Sequence, residues 1–438
     1  GLKRDLSSAF AVESETAWEK DFKGYLYQNR IFYLKNVSYL PEVKANEWND
    51  QGSGDKADVY RDYNTILAGP RWSVLRDFHN KWEELESSNN LSQGDLLPDH
   101  FPRIVGDNNA VFGYRALYNI TTASGNTAMG HKAGYTLTTS GYNVLLGDNA
   151  GYSLTTGGGN NVAIGFSSLD SATTAEQNVA IGSYAMNNNT TGNNNVALGG
   201  AALNGNLIGT NNIAIGYQSG YALNGDHNIA MGMYSLQNSS TSDNNIGIGY
   251  KAGQSSTVGN VTFVGYEAGK SNTTGAGSTA FGYQALASNT TGAGNTASGY
   301  STLTANTTGD YNTASGYSAL YSNTTGSDNT GLGYSVLNSN STGSKNTAIG
   351  VQALNSNTTG SSNTAVGYTS LLANSTGVYN TAIGDRSLTS NTTGSYNTAL
   401  GYRGLSANTT GENNTAGGFY SLFSNTTGDG NTAFGVDS

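Results

Sequence analysis

The sequence contains no cysteine, only four prolines and no long apolar run. Without cysteine, disulfides contribute nothing to the fold. No segment approaches the roughly 20 apolar residues that a transmembrane helix needs, so no membrane insertion is expected. Charged residues make up only 11% of the chain, and the net charge of −10 excludes the basic surface that nucleic-acid binding requires.

The rare residue types and most of the charges lie at one end of the chain. Residues 1–105 contain all four tryptophans, all four prolines and 30 of the 50 charged residues. The rest is rich in Gly, Asn, Thr and Ser. This contrast predicts two regions: an N-terminal attachment or trimerisation domain with its linker over 1–105, and a repetitive shaft over 106–438.

The N-terminal region has the patterns of a small α+β domain. A capping box at Thr16 opens a helix, residues 25–40 have the aromatic content of strands, and residues 88–105 resemble a linker. A second helix is predicted to begin near Pro70 and to carry an apolar stripe with 3-4-3 spacing: Leu75, Phe78, Trp82 and Leu85. In a trimer this stripe would form a short three-helix bundle; otherwise it docks on the core of its own domain.

A glycine recurs about every 17 residues through the rest of the chain. The spacing varies between 16 and 18 at first and is 17 without exception from Gly265 onward. A short fixed period is the signature of a solenoid, in which each repeat forms one coil. The recurring glycines, defined here as position 0, are Gly113, Gly130, Gly147, Gly165, Gly182, Gly199, Gly216, Gly232, Gly249, Gly265, Gly282, Gly299, Gly316, Gly333, Gly350, Gly367, Gly384, Gly401, Gly418 and Gly435.

The residues before each glycine alternate between bulky and small. Positions −3 and −1 are Thr or aliphatic residues in most coils, whereas position −2 is usually Ala, as in Thr347-Ala348-Ile349. Such alternation predicts a strand. We expect the bulky face to fill the interior of the coil and the Ala/Gly face to allow close packing against another copy of the rod.

The second half of each repeat predicts a turn and a second strand. Position +4 is commonly Leu and is expected to point into the interior from this second strand. Coils with Ala-Gly there, such as Ala133-Gly134, suggest a re-routed turn. Asn is at position −4 in 18 of 20 coils, and stacked Asn side chains can form a hydrogen-bonded ladder. Twenty coils at ~4.8 Å each predict a rod of about 95 Å.

These repeats resemble those of a known group of fibrous proteins. The segments 161–165 and 346–350 resemble the head repeats of YadA-type trimeric adhesins, and the longer unit with Asn-Thr-Thr-Gly is similar to repeats in tail fibres of bacteriophages and related contractile particles. The resemblance covers about 106–438. It implies a left-handed parallel β-roll, with three rolls side by side in a homotrimer. An adhesin neck, a long coiled-coil stalk and a membrane anchor are not recognised in this sequence, which favours the fibre.

An aromatic residue follows the glycine in most coils, at position +1. One interpretation is a strip that stacks on sugar rings of a host glycan; the other is a structural ladder supported by ring stacking, worth roughly 0.5–1.5 kcal/mol per pair. The candidate glycan-contact residues are Tyr283, Tyr300, Tyr317, Tyr334, Tyr368 and Tyr402.

Other polar residues give weaker signals. The Thr-Thr pairs at +8 and +9 suggest an ice- or glycan-binding rank, or simply a solvated turn. His131 and His227 lack a partner at metal-ligand spacing, and no catalytic motif, metal site or cofactor is expected. Carboxylates at a turn position suggest a weak Ca²⁺ rank: Asp310, Asp328 and Asp429.

Together these patterns predict a non-enzymatic structural fibre on a virion tail or extracellular particle. Its N-terminal domain would bind a baseplate or other particle protein, and the shaft would project toward a host surface glycan or protein. The alternatives are a cell-surface or secreted trimeric adhesin and a fibre that depolymerises glycans. The sequence stops within a coil at Ser438, so a further distal region is expected.

Overall fold

The computed structural model describes residues 108–438, which form a stack of twenty parallel strands. Each strand is three residues long and occurs once per repeat. In chain order the strands are β1 Ala110–Phe112, β2 Thr127–Met129, β3 Val144–Leu146, β4 Val162–Ile164, β5 Val179–Ile181, β6 Val196–Leu198, β7 Ile213–Ile215, β8 Ile229–Met231, β9 Ile246–Ile248, β10 Thr262–Val264, β11 Thr279–Phe281, β12 Thr296–Ser298, β13 Thr313–Ser315, β14 Thr330–Leu332, β15 Thr347–Ile349, β16 Thr364–Val366, β17 Thr381–Ile383, β18 Thr398–Leu400, β19 Thr415–Gly417 and β20 Thr432–Phe434.

Each strand pairs with the next strand in sequence, and equivalent repeat positions lie opposite each other. In β15 and β16, for example, Thr347 is opposite Thr364 and Ala348 is opposite Ala365. This register continues from β1 to β20. The prediction of an all-β parallel solenoid of about twenty coils is confirmed; its left-handedness stays a prediction.

The described residues 108–438 contain strands and turns, and no helix among them could cross a membrane. The predicted helices, strands and linker of residues 1–105 lie outside the described residues. The prediction of two strands per coil is wrong. Position +4 lies in a turn, where Ser318 and Leu320 have φ angles of 52° and 51°. Such left-handed residues curl the chain instead of extending it. Leu320 is nevertheless fully buried, which confirms its predicted inward position.

The predicted inside and outside of the strand are reversed. Ala348 at position −2 is fully buried, whereas its bulky neighbour Ile349 is 38% exposed. The interior of each coil has little free space because Leu side chains from the turns already fill it. At Gly247, which also occupies position −2, an added Cβ would lie 2.7 Å from Cγ of Leu236. Only a small residue fits there, so the bulky side chains at −3 and −1 lie on the outer surface.

Where position −2 is large, glycine replaces the leucine at +4. Phe263 is fully buried at −2, and a Cβ added at Gly253 or Gly269 would lie within 2.8 Å of its ring. Gly253 and Gly269 have φ angles of 61° and 56°, close to the 51° of Leu320. The turn therefore keeps its path in these coils, and the expectation of a re-routed turn is wrong. A large residue at −2 is therefore accompanied by glycine at +4, and this volume exchange leaves the shape of the coil unchanged.

A ladder of buried asparagines at position −4 joins successive coils, as predicted. In the coil of β16, Asn363 Oδ1 accepts the backbone N–H of Asn380 at 2.9 Å. Asn363 Nδ2 donates across its own coil to the carbonyl of Gly377 at 2.8 Å. Each asparagine thus satisfies backbone groups in two places, which explains how so polar a residue is buried. The ladder is interrupted at Val261 and Ser278.

A second asparagine ladder runs along position +7 in the distal coils. Asn340 Nδ2 donates to Oδ1 of Asn323 in the preceding coil at 2.7 Å and to the carbonyl of Gly343 at 2.9 Å. The same pattern recurs from Asn289 to Asn425. The Asn-Thr-Thr-Gly segment is therefore a turn and also a second line of contact between coils.

Replacement of a ladder asparagine is expected to cost more than replacement of an ordinary one. Asn363→Ala leaves the buried backbone N–H of Asn380 without a partner and removes one of the two amide donors to the Gly377 carbonyl, so we expect it to lower the free energy of unfolding by about 2–3 kcal/mol. The control is Asn355→Ala, which removes a half-buried amide with one bond to Ser335 and should cost about 1 kcal/mol. Denaturant unfolding measures both variants; equal losses would contradict the role of the ladder.

Candidate functional site

The tyrosines at position +1 form a continuous stack along the middle of the rod. Six rings follow one another from Tyr250 to Tyr334, with centroids 5.0–5.4 Å apart. The ring of Tyr300 is tilted only 8° from that of Tyr283 and 4° from that of Tyr317. This order follows from the turn geometry, because every coil presents position +1 at the same place. The predicted candidates Tyr283, Tyr300, Tyr317 and Tyr334 are thus brought together.

Beyond Tyr334 the stack is interrupted twice. Val351 occupies position +1 in the next coil, and Asp385 occupies it two coils later. Tyr368 therefore stands between two gaps, with the guanidinium of Arg386 5.5 Å from its ring centroid. After the second gap, Tyr402 stacks on Phe419 at 5.1 Å. The last two predicted glycan-contact residues are separated from the main stack and from each other.

The geometry bears on how the tyrosines can contact a ligand. Centroid distances near 5 Å with nearly parallel planes describe offset stacking, in which neighbouring rings cover part of both faces of each interior ring. A sugar ring packs against an aromatic face. The gaps at Val351 and Asp385 therefore offer better contact sites than the uninterrupted stack from Tyr250 to Tyr334.

The turn threonines take part in the contacts between coils. Thr307, the first of its pair, donates its hydroxyl to the carbonyl of Thr324 in the next coil at 3.0 Å. The second member, Thr308, is exposed. Half of the proposed Thr rank is thus committed to internal bonds, which supports the interpretation as a solvated turn.

The predicted carboxylate rank also bonds to neighbouring coils. Asp310 accepts the backbone N–H of Ala293 at 2.8 Å, and Asp429 accepts that of Glu412 at 2.7 Å. The described part of the chain contains no group of three or more His, Asp or Glu side chains placed to hold a metal ion. Asp328 lies in the turn with a φ of 60°. These carboxylates do not converge on a common site.

The two histidines among residues 108–438 lie in separate coils. His131 Nδ1 lies 3.0 Å from Asp148 Oδ1, and its ring stacks on Tyr114 at 5.6 Å. It therefore takes a tyrosine's place in the stack. His227 has a φ of 58° in a turn, a conformation that histidine adopts more readily than most residues.

Two acidic side chains have shifted pKa values. The Lys270 ammonium, 2.9 Å from Glu267, holds the pKa of that carboxyl below its usual value. Burial raises the pKa of Asp170, although hydrogen bonds from Ser167 and Asn187 act in the opposite direction. The charge of Asp148 adds a smaller upward effect.

One polar cluster, formed by Asp385, Arg386 and Arg403, was not predicted from the sequence. Arg403 places its guanidinium 5.4 Å from the ring of Tyr402 and 5.6 Å from that of Tyr420. The interruption of the tyrosine period at position 385 was visible in the sequence and was the signal that could have found this cluster. No protein family model and no curated protein matches this chain.

Proposed function

We propose that this chain is the shaft of a structural fibre that attaches to a viral or phage-like particle and projects toward a host cell surface. The observation that carries the proposal is the unbroken register of twenty coils. Such a stack spans about 95 Å at ~4.8 Å per coil, and its stiffness comes from strand pairing and two asparagine ladders. The shape suits a spacer between a particle and its target.

The fibre is proposed to be a homotrimer that associates through the outer face of the sheet. This face carries the exposed side chains at position −1, including Phe281, Ile349, Ile383 and Leu400, which are 38–45% exposed. In β3 to β9 position −3 is Val or Ile as well, so the apolar stripe is two residues wide there. Regular apolar rows on the surface of one chain are typical of association sites. The partner is another copy, whose rows have the same spacing.

Ile349→Asp is expected to weaken the trimer at least tenfold. Loss of a buried Ile removes about 1.5–3 kcal/mol of apolar contact, and an unpaired carboxylate adds a further penalty. The control Thr359→Asp places the same charge on an exposed turn of the same coil and should leave the trimer intact. Sedimentation equilibrium measures both. A monomeric parent chain would refute the trimer, whereas equal tolerance of both substitutions would refute the face.

Residues 1–105 are proposed to bind a baseplate or other particle protein, and the distal end to face a host glycan or protein. Antibodies against the shaft should label contractile or viral particles in electron micrographs. Labelling of the producing cell's own surface would favour the adhesin. A fibre that depolymerises glycans is the second candidate, and its test is placed on the half-buried carboxyl of Asp170. We expect no glycan cleavage by the purified protein, and cleavage that Asp170→Asn abolishes would favour the depolymerase.

A further inference from the structure

The second interruption of the tyrosine stack creates a gap with two aromatic walls. Tyr368 and Tyr402 occupy the same repeat position on either side of Asp385. Their positions are two coils apart, or about 10 Å at ~4.8 Å per coil. A ring held midway would lie about 5 Å from each tyrosine, within the range in which ring faces attract one another.

Two arginines border this gap. Arg386 and Arg403 occupy position +2 in consecutive coils, and both have a φ of 56°. They are the only basic residues after Lys345 in a chain whose net charge is −10. Each guanidinium lies against a tyrosine, Arg386 at 5.5 Å from Tyr368 and Arg403 at 5.4 Å from Tyr402. The distal shaft thus has one local cationic spot, and it coincides with the gap.

Two polar atoms of this cluster have no hydrogen-bond partner within the described residues. They are Oδ1 of Asp385 and Nε of Arg403, and both atoms are shielded from solvent. Arg386 Nε is 3.9 Å from Asp385 Oδ1, too far for a hydrogen bond. Arg403 uses Nη1 to donate to the Tyr420 hydroxyl at 3.0 Å. Buried polar atoms without partners are rare in native proteins, and a ligand is one way to satisfy them.

The cluster is accessible from solution. The Asp385 and Arg386 side chains are 45% and 40% exposed, so they can turn toward a ligand while the backbone of the coil stays in place. The asparagine ladders hold the backbone of both coils in place. The site is therefore shallow but preorganised, which reduces the entropy lost on binding.

We propose that Asp385 and Arg386, between Tyr368 and Tyr402, together with Arg403 beside Tyr402, bind a sugar ring that carries an anionic group. A guanidinium pairs with a carboxylate or phosphate through two parallel hydrogen bonds. The Asp385 carboxylate accepts hydrogen bonds from sugar hydroxyls, and the tyrosines contact the ring. The inference deepens the proposed function, on which its biological meaning rests, because it names the class of surface glycan that the shaft contacts.

The charge distribution favours a single acidic sugar over a long polyanion. The acidic chain as a whole repels nucleic acid, and two arginines cannot offset that repulsion along an extended strand. A neutral sugar would offer neither guanidinium an anionic group to pair with. An acidic sugar uses the carboxylate, the guanidiniums and the aromatic walls together.

Titration calorimetry on the full chain tests this site with four probes. Glucuronic acid supplies a carboxylate, glucose 6-phosphate supplies a phosphate, glucose has neither, and inorganic phosphate lacks the ring. We expect at least one anionic sugar to bind at least tenfold more tightly than glucose and than inorganic phosphate. Which of the two binds identifies the anionic group. If neither binds, or if inorganic phosphate binds as tightly as the better sugar, the inference is overturned.

Matched variants locate the binding. Arg403→Gln should weaken binding of the anionic sugar at least tenfold, whereas Lys345→Gln removes the same charge from the same shaft and should change it less than twofold. Arg403→Lys keeps the charge but loses the planar fork, and we expect an intermediate loss. Equal effects of Arg403→Gln and Lys345→Gln would mean that binding depends only on the overall charge of the shaft. That result would overturn the proposed site.

The result of the sugar-binding test is independent of the result of the tests of the proposed function. A chain that sediments as a monomer but binds acidic sugars would refute the trimer and retain the site. A trimer on particles that binds none of the sugars would do the opposite.

Discussion

Gly367→Ala is expected to lower the free energy of unfolding by at least ~4 kcal/mol, the largest effect that we predict for a single methyl group. Gly367 has a φ of 136°, which residues with a side chain rarely adopt. An added Cβ would lie 2.5 Å from the carbonyl oxygen of Gly384 in the next coil. Because the obstructing atom belongs to a paired backbone, it cannot rotate away as a side chain would.

The control for this substitution is Gly277→Ala. Gly277 also has a positive φ, 67°, but a Cβ added there meets nothing within 4 Å. It should therefore cost only the ~1–2 kcal/mol of a left-handed backbone. Thermal unfolding and hydrogen exchange of the coils around each site distinguish the two. Equal losses would mean that the positive φ alone, and not the close approach of neighbouring coils, explains why glycine recurs at position 0.

Phe263→Ala is expected to lower the free energy of unfolding by about 3–5 kcal/mol. Phe263 is the largest fully buried side chain of the stack and fills the space left by Gly253 and Gly269. Its removal leaves a cavity that a rigid coil cannot close. Because a solenoid unfolds in segments, hydrogen exchange near β10 should report the loss more directly than the overall melting curve.

A second substitution should recover part of that stability. Gly269→Leu, added to Phe263→Ala, recreates the pairing of Ala at −2 with Leu at +4 that regular coils use. The φ of 56° at Gly269 is close to that of the buried Leu286, also 56°. We expect the double variant to be more stable than Phe263→Ala alone. If Gly269→Leu destabilises the protein equally in both backgrounds, the volume exchange is wrong.

Much of the shaft was predictable because the features that define it are local and repeated. The 17-residue period, the buried Leu320 and the asparagine ladder through Asn363 each follow from one residue type recurring at one position. Repetition strengthens a weak signal, since the same residue pattern recurs in many coils and an exception in one coil does not hide it. Residues 1–105, which do not repeat, offered no such help.

The orientation of the strand was not predictable from alternation alone. A pattern of bulky and small residues shows that two faces differ, but not which of them is inside. Because large apolar side chains are usually buried, Ile349 is expected inside and Ala348 outside, and the structure has the reverse. The orientation of the strand depends on the leucines of the turns, whose left-handed backbone directs their side chains into the same interior layer.

The sequence by itself determined that residues 108–438 form a stack of similar coils, because period and residue type suffice to specify strand pairing and polar ladders. Only the tertiary structure decided which face is outside and which side chains meet across coils. Arg403 lies a full repeat away from the adjacent pair Asp385 and Arg386, so the three carry no recognisable sequence motif. Stacking of coils brings them together, and the backbone N–H of Arg403 donates to the carbonyl of Asp385 at 3.0 Å, since residues about 17 apart in sequence become neighbours along the rod.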